Sequence, residues 1–199
     1  ISSGTAAVGT FNQTGGTVSF TSTSTIANGT NSSGVYNQTG GSTRIGAATT
    51  IAGGGNANGT FNQIGGTTTV AGILTIGNGA GASGVYSLGG TGTLHVQGAS
   101  SDLILGSATG VGMINVADGS NVIIDRDFAF RNGSFQLDTS KISIARNLSV
   151  ADATSSTANM SIVDGQNLTL TTVAGGINVA TATSSNGTFF QTGGVVTTG

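Results

Sequence analysis

The sequence has no cysteine, no proline and no glutamate, a single histidine, and only five Lys or Arg and seven Asp among 199 residues. Without cysteine there is no disulfide framework, which by itself leaves the compartment open. Without proline, every backbone N–H is free to enter a ladder. A net charge of −2 with no cluster of Lys or Arg argues against nucleic acid or an anionic membrane as partner, since both attractions need concentrated positive charge. No apolar run approaches the roughly 20 residues that cross a bilayer, so no membrane span is expected. The opening "ISSGTAAV" has neither an initiator Met nor a basic segment leading into an apolar one, which reads as a processed or trimmed chain. What remains is Gly, Thr, Ser, Asn, Val and Ile, the chemistry of strands and turns, so the class expected is all-β.

One phrase recurs: "GTFNQTGG" from Gly9, "GVYNQTGG" from Gly34, "GTFNQIGG" from Gly59 and "GTFFQTGG" from Gly187. With Gly84, the first four opening glycines fall 25 residues apart, and a fixed interval of this size is the mark of a solenoid. Weaker copies are read from Gly110, Gly133 and Ala158, with loops absorbing the drift.

Two places after each opening residue stand Phe11, Tyr36, Phe61, Tyr86, Gly112, Phe135, Met160 and Phe189, an inward apolar stack with one gap. Two places further come Gln13, Gln38, Gln63, Leu88, Ile114, Leu137, Ile162 and Gln191, on the same face by the period of a strand. A site that alternates between Gln and aliphatic residues is interior, and a buried amide must be hydrogen-bonded. With coils about 4.8 Å apart, a ladder from each Gln to the next is expected. The column between them, beginning Asn12, Asn37 and Asn62, should face outward or bond into a turn. A third column, Ile1, Ile26, Ile51, Ile76, Val150 and Val179, with Leu105 and Phe128 near the shifted coils, supplies a second inward stack. Five Asn-Gly steps, at Asn28, Asn58, Asn78, Asn132 and Asn186, are expected at corners that need positive φ.

Disordered low-complexity sequence would not keep aromatic and aliphatic residues in step, and a closed barrel or sandwich would not repeat residue types at one interval. The pattern therefore predicts one domain over residues 1–199: a parallel β-solenoid of about eight coils, ~25 residues each, with two or three short strands per coil. Coil starts are expected near 9, 34, 59, 84, 110, 133, 158 and 187, with a partial coil at both ends. The phrase "GTFNQTGG", followed by segments such as "GILTIGNG", resembles the repeats of bacterial secreted and surface β-solenoid proteins, including autotransporter-type adhesin passengers. The likeness is carried by Gly9 to Gly90 and Gly187 to Gly194, less than half the chain. It implies export to the cell surface or medium and a structural or adhesive task, and it names no ligand.

Residues able to do chemistry are few. His95 lies in "TLHVQG" between apolar neighbours, as a solvent-facing strand residue does. A chain without Cys or Glu and with one His offers no zinc set, and scattered Asp do not make repeated calcium sites of 6–8 oxygen ligands. No glycine run has the lysine of a phosphate loop. No metal and no cofactor are expected. Charge concentrates in "DRDFAFRNGSFQLDTSKISIAR", where a regular strand would put Asp125 and Asp127 on one face and Arg126 on the other. Paired carboxylates are what sugar cleavage needs, so a polysaccharide-active β-helix is one alternative. The plainer reading is a mixed-sign surface patch. Thr17/Ser19, Ser42/Arg44, Thr67/Thr69 and Thr91/Thr93 suggest an ice-binding array as a third reading, interrupted by Arg44.

Ile1 falls in the aliphatic column and residues 187–199 fill only the first part of a coil. Uncapped coils expose rows of unpaired backbone groups, so Ile1 and Gly199 mark ends expected to stack head to tail on another copy or to continue into a longer solenoid. The function expected is a non-catalytic extracellular structural protein, a filament subunit or an adhesin shaft. Its partners would be other copies and a surface glycan or neighbouring cell.

Overall fold

The computed structural model describes residues 1–117, 119–138, 141–172 and 175–199. The chain is an all-β parallel solenoid, each coil giving one strand to each of three sheets. The first sheet stacks Val8–Gln13, Ser33–Gln38, Asn58–Gln63, Ser83–Leu88, Val111–Val116 and Gly133–Leu137 in that order, and the equivalent strands Thr157–Ile162 and Asn186–Gln191 pair separately. The second sheet runs unbroken through eight strands, from Thr17–Phe20 to Val195–Thr198. The third runs through seven, from Ser24–Ile26 to Ile177–Val179. Among the described residues seven coils thus have all three strands and an eighth has two.

Register follows the repeat. Gly9, Gly34, Gly59 and Gly84 lie on one line, as do Phe11, Tyr36, Phe61 and Tyr86. The rings of these four stack with centroids 4.9, 4.5 and 4.7 Å apart, the last two pairs nearly parallel. That separation is the distance between hydrogen-bonded strands, so the backbone ladder itself sets the stacking. Tyr36, Phe61 and Tyr86 are buried, whereas Phe11 is 37% exposed in the first coil, and Phe189 packs against the core half-buried.

The fifth coil departs from the expected alignment. Gly84 pairs with Gly112, which pairs with Gly133, so the coil begins at Gly112 and not at Gly110. The stack then has no gap: Ile114 lies between Tyr86 and Phe135, and Val116 takes the place assigned to Ile114 in the Gln column. An insertion before the strand hid this, because both glycines preserve local alternation. Likewise Phe130, not Phe128, continues the column Ile26, Ile51, Ile76, Leu105, Val150 and Val179, while Phe128 stacks between Leu103 and Leu148. Ile1 belongs to the aliphatic column: its carbonyl accepts from the Ala27 N–H at 2.8 Å, as that of Ile26 accepts from Ala52.

The glutamines are interior in the first three coils but do not bond to one another. Gln13, Gln38 and Gln63 each donate Nε2–H to the carbonyl three residues on, that of Gly16, Gly41 and Gly66. Each also reaches the first strand residue of the next coil's second sheet, Ser42, Thr67 and Thr93. Their Oε1 atoms accept from inward hydroxyls: Tyr36 and Thr43 on Gln13, Thr68 on Gln38, Tyr86 on Gln63. Burial pushes both tyrosine pKa values up, with the threonine hydroxyls pulling the other way. The expected ladder fails because each amide N–H instead joins the next coil's backbone N–H on the turn carbonyl of its own phrase, and each amide oxygen takes an inward hydroxyl, so the buried amide is bonded at both ends. Gln191 makes the same bond to Gly194 at 3.4 Å but is exposed.

Positive φ occurs at other corners than the Asn-Gly steps. Of those five glycines only Gly133 has it, and Asn58-Gly59 and Asn186-Gly187 lie inside strands. One corner directly follows the aliphatic column, at Ala27, Ala52, Gly77, Gly106 and Ala151. Another uses the last glycine of each phrase, Gly16, Gly41 and Gly66. The first glycine of the phrase serves close approach: a Cβ at Gly59 would stand 2.5 Å from the Ala52 nitrogen in that first corner.

Two stability outcomes follow. Gln38→Ala removes the acceptor of the Thr68 hydroxyl and the amide donor to the Gly41 and Thr67 carbonyls, and is expected to cost about 1–3 kcal/mol in chemical denaturation; an unchanged midpoint would mean the amide is dispensable. Gly59→Ala is expected to cost about 3 kcal/mol through overpacking. Gly15→Ala, where a Cβ meets nothing within 4 Å, should change stability by less than about 1 kcal/mol. Equal effects at the two glycines would contradict the packing account.

Candidate functional site

Two surface regions bring polar side chains together. The first is the charged corner between the second and third sheets in coils four to six. Asp125 to Asp127 follow the strand Asn121–Ile124 and precede Phe128–Phe130. They form a corner, not a strand, so the expected alternation does not hold. Asp125 turns to the fourth coil, accepting from His95 Nε2 at 2.8 Å and from the Gly98 N–H at 3.0 Å. Asp127 turns the other way, to Arg146 of the sixth coil and to the backbone and side-chain N–H groups of Asn147 at 3.0 and 3.1 Å. Arg126 does not point away from both: its Nε lies 3.4 Å from Asp102 and 3.5 Å from Asp127. A further ion pair, Arg131 with Asp152 at 2.9 Å, links coils nearby.

Partial burial alone would raise the Asp125 carboxyl. The His95 hydrogen bond, the Gly98 N–H and the imidazole charge outweigh it and hold the group below the ordinary carboxylate value. Asp127 is lowered in the same manner, burial opposing it and the Arg146 and Asn147 bonds prevailing. Both carboxyls are thus ionised acceptors engaged with different neighbours.

A structural role missed in the sequence explains the aspartates. The Asp127 N–H donates to Asp102, the Asn147 N–H to Asp127, and the Gly176 N–H to Asn147. Each side-chain oxygen caps the equivalent residue one coil on. These residues sit immediately before the triplets Leu103–Leu105, Phe128–Phe130, Leu148–Val150 and Ile177–Val179, and that common offset was the signal available. Thr43 and Thr68 were likewise legible as inward residues, two places before Ile45 and Val70.

The second region is a groove of about 640 Å³ beside the turn that joins the first and second sheets over coils one to five. One wall is the outward column of the first sheet, where Asn37 Nδ2–H donates to Asn12 Oδ1 at 2.8 Å and Asn62 Nδ2–H to Asn37 Oδ1 at 2.9 Å. The amide ladder expected of the glutamines is therefore made by the asparagines. Ile64, 60% exposed, supplies apolar surface. A further groove of about 450 Å³ shares Asn115 and Ala117 with it and continues past Gln136 to Ser161. It lies where the first sheet parts: among the described residues the sixth and seventh coils are joined on this face by the Asn132–Thr157 bridge, and Gln166 reaches across to the Leu137 carbonyl.

On the second sheet's outer face, Thr93 aligns with Thr67 and His95 with Thr69. Thr91 is outside the array, which is broken by His95 as well as Arg44. Among the described residues no group of three or more His, Asp or other metal-binding side chains gathers. Comparison of the chain with protein-family models, with curated proteins and with solved structures found no match.

The pKa direction of Asp127 fixes a pH dependence. Its folded pKa is depressed, so its stabilising contribution is complete above the unfolded value near pH 3.9 and disappears as pH falls through the folded value. Asp127→Asn should therefore remove up to about 1 kcal/mol at neutral pH and flatten the acid limb of a melting-temperature profile. Parallel profiles for the two proteins between pH 2 and 6 would show the carboxylate to be energetically idle.

Proposed function

We propose that the chain is a non-catalytic structural rod of an exported surface protein, an adhesin shaft or a filament subunit, as its likeness to autotransporter-type passenger repeats implies. One observation carries this reading. Like residues lie over like on successive coils, so each coil is the template for the next and the ladder extends by adding coils of the same kind. Its edges are rows of backbone donors and acceptors that accept a further coil, whether of the same chain or of another copy. The division of Asp125 and Asp127 between different partners weighs against the paired-carboxylate enzyme, and the interrupted threonine rows weigh against ice binding.

Antibody labelling of intact cells that produce the full-length protein should be positive; labelling only after permeabilisation would overturn surface placement. Negative-stain microscopy of concentrated protein separates the two forms. Fibres one solenoid wide support stacking between copies, and single short rods at every concentration support a shaft continued within one chain. Turnover of a polysaccharide that is lost in Asp125→Ala would overturn both.

A further inference from the structure

We propose that the groove beside the asparagine ladder binds a neutral, extended β-linked glycan along the solenoid axis. The inference rests on the reading of the chain as a surface rod and supplies the chemistry of what such a rod would hold.

The argument begins with the ladder's unused capacity. A side-chain amide has two N–H donors and an oxygen with two lone pairs. In the Asn12–Asn37–Asn62 ladder one N–H and one lone pair per link are spent on the neighbour. What is left is a donor and an acceptor at each level, repeating every coil, or about 4.8 Å. A sugar hydroxyl is likewise donor and acceptor, and a β-1,4-linked pyranose advances its chain by nearly one coil spacing. Successive sugars therefore meet successive asparagines, alternate rings presenting opposite edges, and each edge carries hydroxyls that both donate and accept. The opposing surface is apolar, with Ile64 60% exposed, and suits the C–H faces of the rings. The outward column ends on Phe190, paired with Ser161 and 58% exposed, an aromatic face of the kind that sugar rings cover.

Other polymers fit less well. Among the described residues the groove over coils one to five is lined by uncharged ones, which offer no cation to phosphates or acidic sugars. A peptide strand advances about 3.3 Å per residue and falls out of step with the coils. It also binds by adding to a free sheet edge, whereas the strands bearing this wall are paired on both sides from the second coil to the fifth.

Isothermal titration of the whole chain with cellobiose and cellohexaose, and affinity electrophoresis in mixed-linkage β-glucan, test the proposal. Cellohexaose should bind at least about tenfold tighter than cellobiose, with little dependence on salt. Ile64→Lys should weaken binding about tenfold or more by placing a charge against the ring face, while Ile123→Lys on the outer face of the second sheet should leave it unchanged. Both positions are exposed, so neither variant should unfold, and circular dichroism checks that. No binding of any neutral β-glycan by folded protein would overturn the proposal. So would equal binding of dextran, salt-sensitive binding of polygalacturonate in its place, or loss of binding in Ile123→Lys alone. A protein that labels the surface of intact cells but fails these titrations refutes the groove and leaves the rod.

Discussion

The parallel backbone ladder is the constraint from which everything else follows. Once strands of successive coils pair in register, equivalent side chains are held one strand spacing apart, and the interior becomes a set of columns. Aromatic rings stack because that spacing suits them, with Tyr36 and Phe61 at 4.5 Å and 12°. Aliphatic residues fill the remaining columns at nearly complete burial. The interior glutamines are each bonded at both ends of the amide, as when Gln13 Oε1 collects the hydroxyls of Tyr36 and Thr43 at 2.8 and 2.6 Å. In each of the first three coils the Gln reaches into the next coil, so the polar interior connects neighbouring levels as the apolar columns do.

The surface obeys the same rule in a different currency. Where the first three coils use neutral asparagine amides, coils four to six use carboxylates and guanidinium groups along the corner before the third sheet. The side-chain oxygens of Asp102, Asp127 and Asn147 bind the backbone of the following coil, and the arginines add partly exposed ion pairs of modest individual value. Charge is concentrated there because that corner calls for an acceptor at each level.

How much of this was legible depended on whether a signal was periodic or local. The fold class, the coil length and the columns of Phe11, Gln13 and Ile26 could be read because the interval of 25 is repeated without error three times. Register failed where the interval changed: Gly110 and Gly112 both kept alternation, and only pairing with Gly84 decides between them. The glutamine partners were hidden for another reason. A buried amide says that it must be bonded, not to what, and the turn carbonyl of Gly16 is invisible until the corner is built. Corners were misplaced because alanine, not only glycine or asparagine, holds the left-handed conformation at Ala27 and Ala52. At the candidate site, the charge cluster was visible as composition, yet its division between two neighbours arises from a corner that strand alternation could not describe. The groove had no sequence signal beyond the outward asparagines.

The parting of the first sheet between Leu137 and Thr157 has a mechanical meaning. The other two faces carry unbroken ladders through this level, while among the described residues the first is joined by the Asn132–Thr157 bridge and the Gln166 side chain. Such a beam has unequal flexural stiffness: curvature that widens the parted face breaks few bonds, and curvature in the opposite sense must stretch a continuous one. A load along the axis would thus be relieved by bending toward one side, at one level, with the coils above and below keeping their shape.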